Sequence, residues 1–231
     1  MDSSLLAESK RIAGYRAADL VEDGTVIGLG TGSTVFFAME RLAERIASGL
    51  SIVGVPTSYQ AAIRAREYGI PLTTLDEFPQ LALAIDGADQ VDPGLSLIKG
   101  RGAAHLREKC VADAAEEVVI VVDSTKTVDT LSAPVPIEVL PFACGLAFRR
   151  LTEMGGVPVL REGVKKDGPV VTDNGNFIID CNFGAIPDPA SLEQQIAAVP
   201  GLLECGLFTT FAEKMRVVVG EGRECRIVSL H

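Results

Sequence analysis

Four short apolar segments of the 231-residue chain share one plan, in which each segment ends in small polar residues. They span residues 25–30, 51–55, 81–85 and 118–122, and the first three precede helical periodicity at about 34–47, 58–68 and 102–116. Continuous apolar strands that alternate with helices are typical of a parallel sheet covered on both faces. The pattern therefore predicts an α/β fold with a doubly wound, mostly parallel sheet. In such sheets ligands bind at the carboxyl ends of the strands, where the four polar junctions are expected to meet.

The pattern of predicted strands and helices changes around residues 133–136. Strand candidates at 135–140, 157–161, 170–172, 176–181 and 203–208 alternate with helices near 142–154 and 189–198. Apart from the short extra strand at 170–172, this order is that of a split β-α-β unit. A hairpin at 216–220 and 225–230 is expected to return to the first sheet. We predict a larger Rossmann-like catalytic domain at 1–131 and 209–231, and a smaller inserted α+β, ferredoxin-like domain at 132–208.

Composition and charge narrow the range of partners. A net charge of −10 opposes binding to nucleic acids and anionic membranes, and an aromatic content of 5% without Trp offers few stacking platforms. The five cysteines are scattered without a C-x-x-C pair and the two histidines lie far apart, so neither a disulfide framework nor a metal site is expected. No apolar run approaches the length of about 18 residues typical of a membrane helix, and the N-terminus lacks a signal-peptide plan. We expect a cytoplasmic protein that binds neither nucleic acid nor membrane.

The segment 81–109 concentrates ionisable groups at the end of the third apolar run. Asp86 follows five apolar residues, Asp89 comes one turn later, Lys99 opens a glycine-bearing loop, and Glu108 lies on the next helix. These groups suffice to move protons on a small polar substrate. The charges of Asp86 and Asp89 are expected to couple and to divide acid from base roles; alternatively, Asp89 caps the turn and Asp86 stays an anion. A different interpretation of the whole segment is a solvated turn followed by a charged helix face, with Glu108 on the surface.

A glycine-rich turn joins the first apolar run to the helix that follows it. It reads GLGTGSTV over residues 28–35, and its glycines allow the backbone to approach a ligand while the helix N-terminus offers N–H groups to an anion. Ser33 and Thr34 alternatively cap the helix. A dinucleotide site is disfavoured because the G-x-G-x-x-G pattern fails in both registers and the second strand ends without an acid. The turn favours a phosphate site, and Lys126, at the end of the fourth run, is a further candidate anchor.

Taken in order, these motifs resemble those of the type A ribose-5-phosphate isomerases. The matching segments are GLGTGSTV at 28–35, AIDGADQVD at 84–92, LIKGRGAAHLREK at 97–109, DSTK at 123–126 and VTDNGNFIIDCNF at 171–183. The resemblance covers nearly the whole chain. It implies a two-domain enzyme of the pentose phosphate pathway that converts ribose 5-phosphate to ribulose 5-phosphate through an enediolate. It also implies that no metal or other cofactor takes part, and that the protein assembles as a homodimer or homotetramer.

The resemblance assigns roles to individual residues by position. Glu108 matches the general base that moves a proton between C1 and C2, and Lys99 matches the group that stabilises the enediolate oxygen. Asp86 matches the group that assists ring opening, with Asp89 as its partner in the sugar site. Substrate contacts are implied for Thr31, Gly32, Ser33, Thr34, Gly87, Ala88, Gly100, Arg101, Gly102, Lys126 and Lys10, of which Ser33, Thr34, Lys126 and Lys10 are expected on the phosphate.

Four positions depart from the family's usual pattern. Its loop reads KGGGAALTREK, whereas this chain has Arg101, His105 and Leu106 in place of Gly, Leu and Thr, and Gln90 where Glu is usual. If position 101 requires a positive φ, Arg101 is strained by about 1–2 kcal/mol. Its side chain also either crowds the sugar or adds a cation near it, and His105 either tunes Glu108 or packs the helix. The alternatives to an active isomerase are a re-specialised or inactive paralogue and a sugar-phosphate-binding module.

Overall fold

The computed structural model describes residues 3–230 of the chain. Within them, six helices lie at α1 (Ser3–Ala18), α2 (Ser33–Ala47), α3 (Tyr59–Glu67), α4 (His105–Ala114), α5 (Cys144–Glu153) and α6 (Pro189–Ala197). The strands are β1 (Thr25–Leu29), β2 (Ile52–Pro56), β3 (Leu81–Gly87), β4 (Gln90–Val91), β5 (Leu97–Ile98), β6 (Ala115–Asp123), β7 (Val135–Val139), β8 (Val157–Leu160), β9 (Phe177–Asn182), β10 (Leu202–Cys205), β11 (Leu207–Phe208), β12 (Met215–Glu221) and β13 (Glu224–Val228). No helix within this range is long and apolar enough to cross a lipid bilayer.

The chain divides into two compact units. The first contains the described parts of 1–88, 107–127 and 211–231, and the second contains 89–106 and 128–210. Residues 89–106, which the sequence prediction assigns to the larger domain, therefore group with the second unit. The domain bounds predicted from the sequence stay a prediction.

The first unit is built on a six-stranded sheet in the order β13-β12-β6-β3-β1-β2. Its strands are parallel except β13, which pairs antiparallel at one edge and completes the predicted return of the C-terminal hairpin. The residues at 118–122 of β6 are all buried, as expected for a parallel strand covered on both faces. The order of winding reverses between β1 and β3, and the carboxyl ends of two such strands form the switch point at which these sheets bind ligands. The predicted α/β class is confirmed.

Helices α1 and α2 pack together in the core of the first unit. Ala13 on α1 and Met39 on α2 belong to one cluster of buried apolar side chains. The two helices approach closely at Gly14, where an added Cβ would lie 2.7 Å from the carbonyl oxygen of Thr34. Lys10 lies one turn before Gly14 on the same face of α1, so this packing directs Lys10 toward the start of α2.

The second unit contains a four-stranded antiparallel sheet in the order β10-β7-β9-β8. Helix α5 connects β7 to β8, and β9 lies between those two strands, so the β-α-β unit is split as predicted. Ile137 of β7, Ile179 of β9 and Leu151 of α5 are fully buried in the core of this unit. A second sheet, in the order β11-β5-β4, consists of three two-residue strands.

Three predicted elements differ from the structure. The proposed strand at 170–172 is wrong, because Val171 makes only an isolated bridge to Phe177 before the chain turns. The single strand predicted at 203–208 is two strands interrupted by Gly206, where an added Cβ would lie 2.1 Å from the Lys99 carbonyl oxygen. The helix predicted to reach residue 116 ends at 114, because Ala115 already pairs with β3 in the sheet.

Candidate active site

Asp86 lies at the switch point of the first unit, at the carboxyl end of β3. Its side chain is buried, and its Oδ1 accepts hydrogen bonds from the N–H groups of Gly87 at 2.7 Å and Thr31 at 3.2 Å. Gly30, which follows β1, makes room for this carboxylate, because an added Cβ at Gly30 would lie 2.1 Å from Asp86 Oδ1. Gly87 and Ala88 follow Asp86 and are half-buried. The parallel pairing of β1 with β3 thus brings the glycine-rich turn and Asp86 together, as the sequence predicts.

The N-terminus of α2 is open to an anion. Gly32 stands at the N-cap with φ +119°, and this residue makes no side-chain capping hydrogen bond to the helix. Ser33 and Thr34 are the first helical residues and do not cap it, so that alternative is wrong. The Lys10 Nζ donates a hydrogen bond to Ser33 Oγ at 3.3 Å, which places a cation beside the helix N-terminus. Free N–H groups, the helix dipole and an ammonium group together favour a bound phosphate.

A cluster of hydroxyl groups extends this edge of the sheet toward β2. Thr31 Oγ1 lies 2.7 Å from Ser58 Oγ and 3.1 Å from Thr57 Oγ1. Ser58 is the N-cap of α3 and accepts a hydrogen bond from the N–H of Ala61 at 3.0 Å. The sequence shows the polar residues after β2, but nothing in their spacing singled out Thr57 and Ser58 as partners of Thr31.

Lys126 and Glu108 also belong to the first unit. Lys126 ends a single 3₁₀ turn, and Asp123, its N-cap, accepts hydrogen bonds from the N–H and the hydroxyl of Thr125. The Lys126 side chain is half-buried, whereas Glu108, in the first turn of α4, is only 5% exposed. The interpretation of Glu108 as a surface residue is therefore wrong. A buried carboxylate at the start of a helix is a candidate catalytic or binding group, because it contributes little to the solubility of the protein.

The second unit holds the remaining predicted residues, Asp89, Lys99 and the loop 100–102. Lys99 is 3% exposed, its backbone N–H donates to the Gly206 carbonyl at 2.8 Å, and its Nζ lies 5.3 Å from the centroid of the Phe208 ring. Asp89 Oδ2 accepts a hydrogen bond from the Arg101 N–H at 3.0 Å, so Asp89 supports the loop after Lys99. Gly100 is buried at φ +103°, and Gly102 is exposed.

Three of the positions that depart from the family pattern are Arg101, His105 and Gln90, and the backbone at Arg101 is not strained. Arg101 is not among the residues with positive φ, and its side chain is exposed; the left-handed residues of this loop are Gly100 and Ala103, at φ +103° and +58°. His105 is fully buried, and its Nδ1 would lie 2.7 Å from a Cβ added at Gly100, so His105 packs against the loop. Gln90 Oε1 accepts hydrogen bonds from the N–H groups of Ser132 and Ala133 at 2.8 and 2.9 Å.

One group of side chains within residues 3–230 has possible metal-binding atoms within 4.8 Å of one another, namely Glu193, Glu204 and Cys205. This group contains none of the predicted site residues. Glu193 Oε2 already accepts hydrogen bonds from the N–H and hydroxyl of Thr209, which accounts for its position.

The parallel sheet has an open helix N-terminus and a buried carboxylate at its switch point. These features are typical of proteins that bind small anionic ligands. Comparison with known proteins identifies the family. The family model for ribose 5-phosphate isomerase A (phosphoriboisomerase A) matches residues 53–223. Ribose-5-phosphate isomerase A of Methanoregula boonei is 61% identical over 224 residues, which cover 97% of this chain and 94% of that protein. The chain belongs to the ribose 5-phosphate isomerase A family.

Solved structures agree with this assignment. The structure of ribose 5-phosphate isomerase A from Methanocaldococcus jannaschii is 44% identical, with a TM-score of 0.91 over 96% of this chain and 98% of that one. A structure of D-ribose-5-phosphate isomerase in complex with phospho-erythronic acid is 45% identical, with a TM-score of 0.94 over 99% of this chain and 100% of that one. The similarity therefore extends over both units of the chain.

Proposed function

We propose that this protein interconverts D-ribose 5-phosphate and D-ribulose 5-phosphate by an enediolate mechanism. The observation that carries the proposal is the arrangement at the switch point of the first unit. There, the uncapped N-terminus of α2, with Lys10 beside it, adjoins the turn whose Thr31 N–H binds the buried Asp86 carboxylate. Membership of the family supports the same reaction.

The phosphate is proposed to bind at the N-terminus of α2. The N–H groups of its first turn, the hydroxyls of Ser33 and Thr34, and the ammonium groups of Lys10 and Lys126 supply donors and positive charge. In a chain of net charge −10, such local cations are needed to hold an anionic substrate. Binding energy from the phosphate, which does not react, then orients the sugar for the proton transfers.

The proton transfers are assigned to the residues that match the family's reacting groups. Asp86, partnered by Asp89, assists opening of the sugar ring and exchange of the hydroxyl protons. Glu108 then removes the C2 proton of the open-chain aldose, and the electron pair left behind forms the C1–C2 double bond, with negative charge on O1. The ammonium group of Lys99 offsets that charge. Return of the proton to C1 from Glu108, with transfer of the O2 proton to O1, completes the ketose.

The ligand of one solved relative is consistent with this substrate class. Phospho-erythronic acid, bound in that protein, is a phosphorylated four-carbon sugar acid. For this chain we extend the comparison to a pentose 5-phosphate as the substrate. Residues 87–88 and 100–102 are proposed to contact its sugar portion.

The protein is further proposed to be cytoplasmic and to assemble as a homodimer or homotetramer. No disulfide joins any of the five cysteines, all of which lie in the described part of the chain, and this is usual in a reducing compartment. Val157 and Val159 on the edge strand β8, and Phe142 before α5, are exposed by 64%, 59% and 96%. An edge strand with exposed apolar side chains supports self-association through the second unit.

The test is ketopentose formation from ribose 5-phosphate by the purified full chain in the presence of EDTA, with Glu108→Gln as the matched variant. We expect turnover by the wild type and its near abolition in Glu108→Gln, with the substrate affinity measured by calorimetry largely unchanged. Normal turnover by the variant would remove Glu108 from the role of base. A wild-type protein that binds ribose 5-phosphate but does not turn it over would instead be a re-specialised paralogue or a sugar-phosphate-binding module.

A further inference from the structure

Arg161 and Asp180 form a paired guanidinium and carboxylate in the second unit, at the end of β8 and within β9. Arg161 Nε donates to Asp180 Oδ2 at 2.8 Å, and Nη2 donates to Asp180 Oδ1 at 2.5 Å. The side chains are 17% and 30% exposed, so this is not a freely solvated surface pair. Two parallel hydrogen bonds fix the plane of a guanidinium, and they therefore fix the direction of its remaining N–H groups.

The remaining nitrogen of Arg161 binds the loop that follows Lys99. Nη1 donates to the carbonyl oxygen of Gly100 at 3.1 Å and to that of Arg101 at 3.0 Å. The N–H of Arg101 is held in turn by Asp89 Oδ2 at 3.0 Å. The peptide group between Gly100 and Arg101 is thus hydrogen-bonded to charged side chains through both its carbonyl and its N–H, and the next peptide group is bonded through its carbonyl.

This loop needs external support because its sequence specifies little structure. It reads KGRGA, with one residue at φ +103° and another at +58°, and Arg101 and Gly102 are exposed. Glycine-rich segments lose much conformational freedom when they are ordered. A donor that binds two consecutive carbonyl groups selects one loop conformation, and with it the direction in which the chain leaves Lys99.

We propose that Arg161, oriented by Asp180, is a positioning residue that holds the loop 99–102 in the conformation required for turnover; the inference rests on the proposed function. Arg161 acts through the backbone of Gly100 and Arg101. Its loss therefore affects the placement of the Lys99 ammonium group in the transition state more than the capture of the phosphate. Small misplacements of a reacting group lower turnover by up to about 100-fold.

The test compares Arg161→Met with Arg216→Met. Arg216 makes the same kind of two-bonded pair, with Glu117, on the sheet of the first unit, and it is a matched control for the loss of a guanidinium–carboxylate pair. For Arg161→Met we expect kcat to fall by about tenfold or more with KM changed less than about threefold, and for Arg216→Met we expect kcat near that of the wild type. Equal losses of kcat in the two variants would overturn the proposal, because the effect would then be one of general stability.

Amide hydrogen exchange tests the loop independently of activity. In Arg161→Met, the amides of Arg101 and Ala103 are expected to exchange faster, while that of Lys99, bonded to the Gly206 carbonyl, stays protected. Unchanged exchange at Arg101 and Ala103, or faster exchange with unchanged kcat, would overturn the positioning role. If Arg161→Met does not fold, Asp180→Asn replaces it in the test, since this variant keeps the guanidinium but weakens the bonds that orient it. A wild-type kcat in Asp180→Asn would contradict the proposal. A wild type without isomerase activity refutes the proposed function, whereas exchange still reports on the loop.

Discussion

Gly30→Ala is the substitution for which the structure makes the sharpest prediction. Gly30 follows β1, and its backbone does not require a glycine, since it is not among the glycines with positive φ. What the position requires is space: an added Cβ would lie 2.1 Å from Oδ1, 2.3 Å from Cγ and 2.8 Å from Cα of Asp86. Because the last of these atoms belongs to the backbone of β3, rotation of the Asp86 side chain alone does not relieve the clash.

The expected cost follows from the contacts that are lost. Overpacking a close-packed site destabilises by about 1–3 kcal/mol. Moving the carboxylate also weakens its hydrogen bonds from Thr31 and Gly87, and each hydrogen bond to a charged group contributes about 1.5–3 kcal/mol. The reduced freedom of alanine in the unfolded chain offsets about 0.4–1 kcal/mol. We therefore expect the free energy of unfolding to fall by about 2–4 kcal/mol and kcat by about tenfold or more, since Asp86 is a proposed reacting group.

Gly54→Ala is the matched control for this substitution. Gly54 lies on β2, also without positive φ, and an added Cβ would lie 2.4 Å from Cδ1 of Leu29, the far end of a flexible side chain. Urea unfolding should show destabilisation of about 1–3 kcal/mol in this control, with kcat within about twofold of the wild type. The reasoning is refuted if Gly30→Ala retains wild-type stability and turnover, or if Gly54→Ala loses turnover to the same extent.

Three further predictions concern the phosphate site and the buried polar groups. Lys126→Ala is expected to raise KM with little change in kcat, and steady-state kinetics showing a pure loss of kcat would contradict a phosphate anchor. Glu138→Ala is expected to lower the free energy of unfolding by about 3 kcal/mol or more, because the buried Glu138 Oε1 accepts three hydrogen bonds from the turn at 172–176. Urea denaturation measures this free energy, and a loss below about 1 kcal/mol would contradict the prediction. Burial raises the pKa of the Cys181 thiol from 9.0 to about 12. The folded state therefore binds this proton more tightly, and this thiol is expected to lower the stability by about 1 kcal/mol between pH 8 and pH 10. Urea denaturation at the two pH values should show that Cys181→Ala makes the decline smaller by that amount.

The fold of the first unit follows from its sequence because local and global preferences agree. Four of the five parallel strands, β1, β2, β3 and β6, contain a continuous apolar run, and small polar residues follow each of these runs at the same edge of the sheet. Periodicity alone thus predicts these strands, the helices between them and the edge of the sheet at which the site is proposed. The structure adds the strand order: β1 and β3 are neighbours in the sheet, and Asp86 therefore lies beside the glycine-rich turn.

The elements that the sequence did not predict depend on partners distant in the chain. Strands β4 and β5 have two residues each, too few for a periodic signal, and β5 is defined by its pairing with β11, more than 100 residues later. The hydrogen bonds of Arg161 to residues 100 and 101 join positions about 60 apart in sequence. In the sequence Arg161 is one charged residue at the end of a predicted strand, and its role becomes visible only when β8 and the loop are in place.

Arg101 shows that a motif does not say which of its positions requires glycine. An arginine within a run of glycines is strained only if its position requires a positive φ. In the structure the positive φ angles fall at Gly100 and Ala103 instead. The Arg101 carbonyl and N–H are bonded to Arg161 and Asp89, which any residue can provide, and the side chain is exposed. A glycine in a motif indicates a constraint on the backbone only where φ or a close approach demands it, so the substitution at 101 leaves the loop intact and changes the charge that the loop presents.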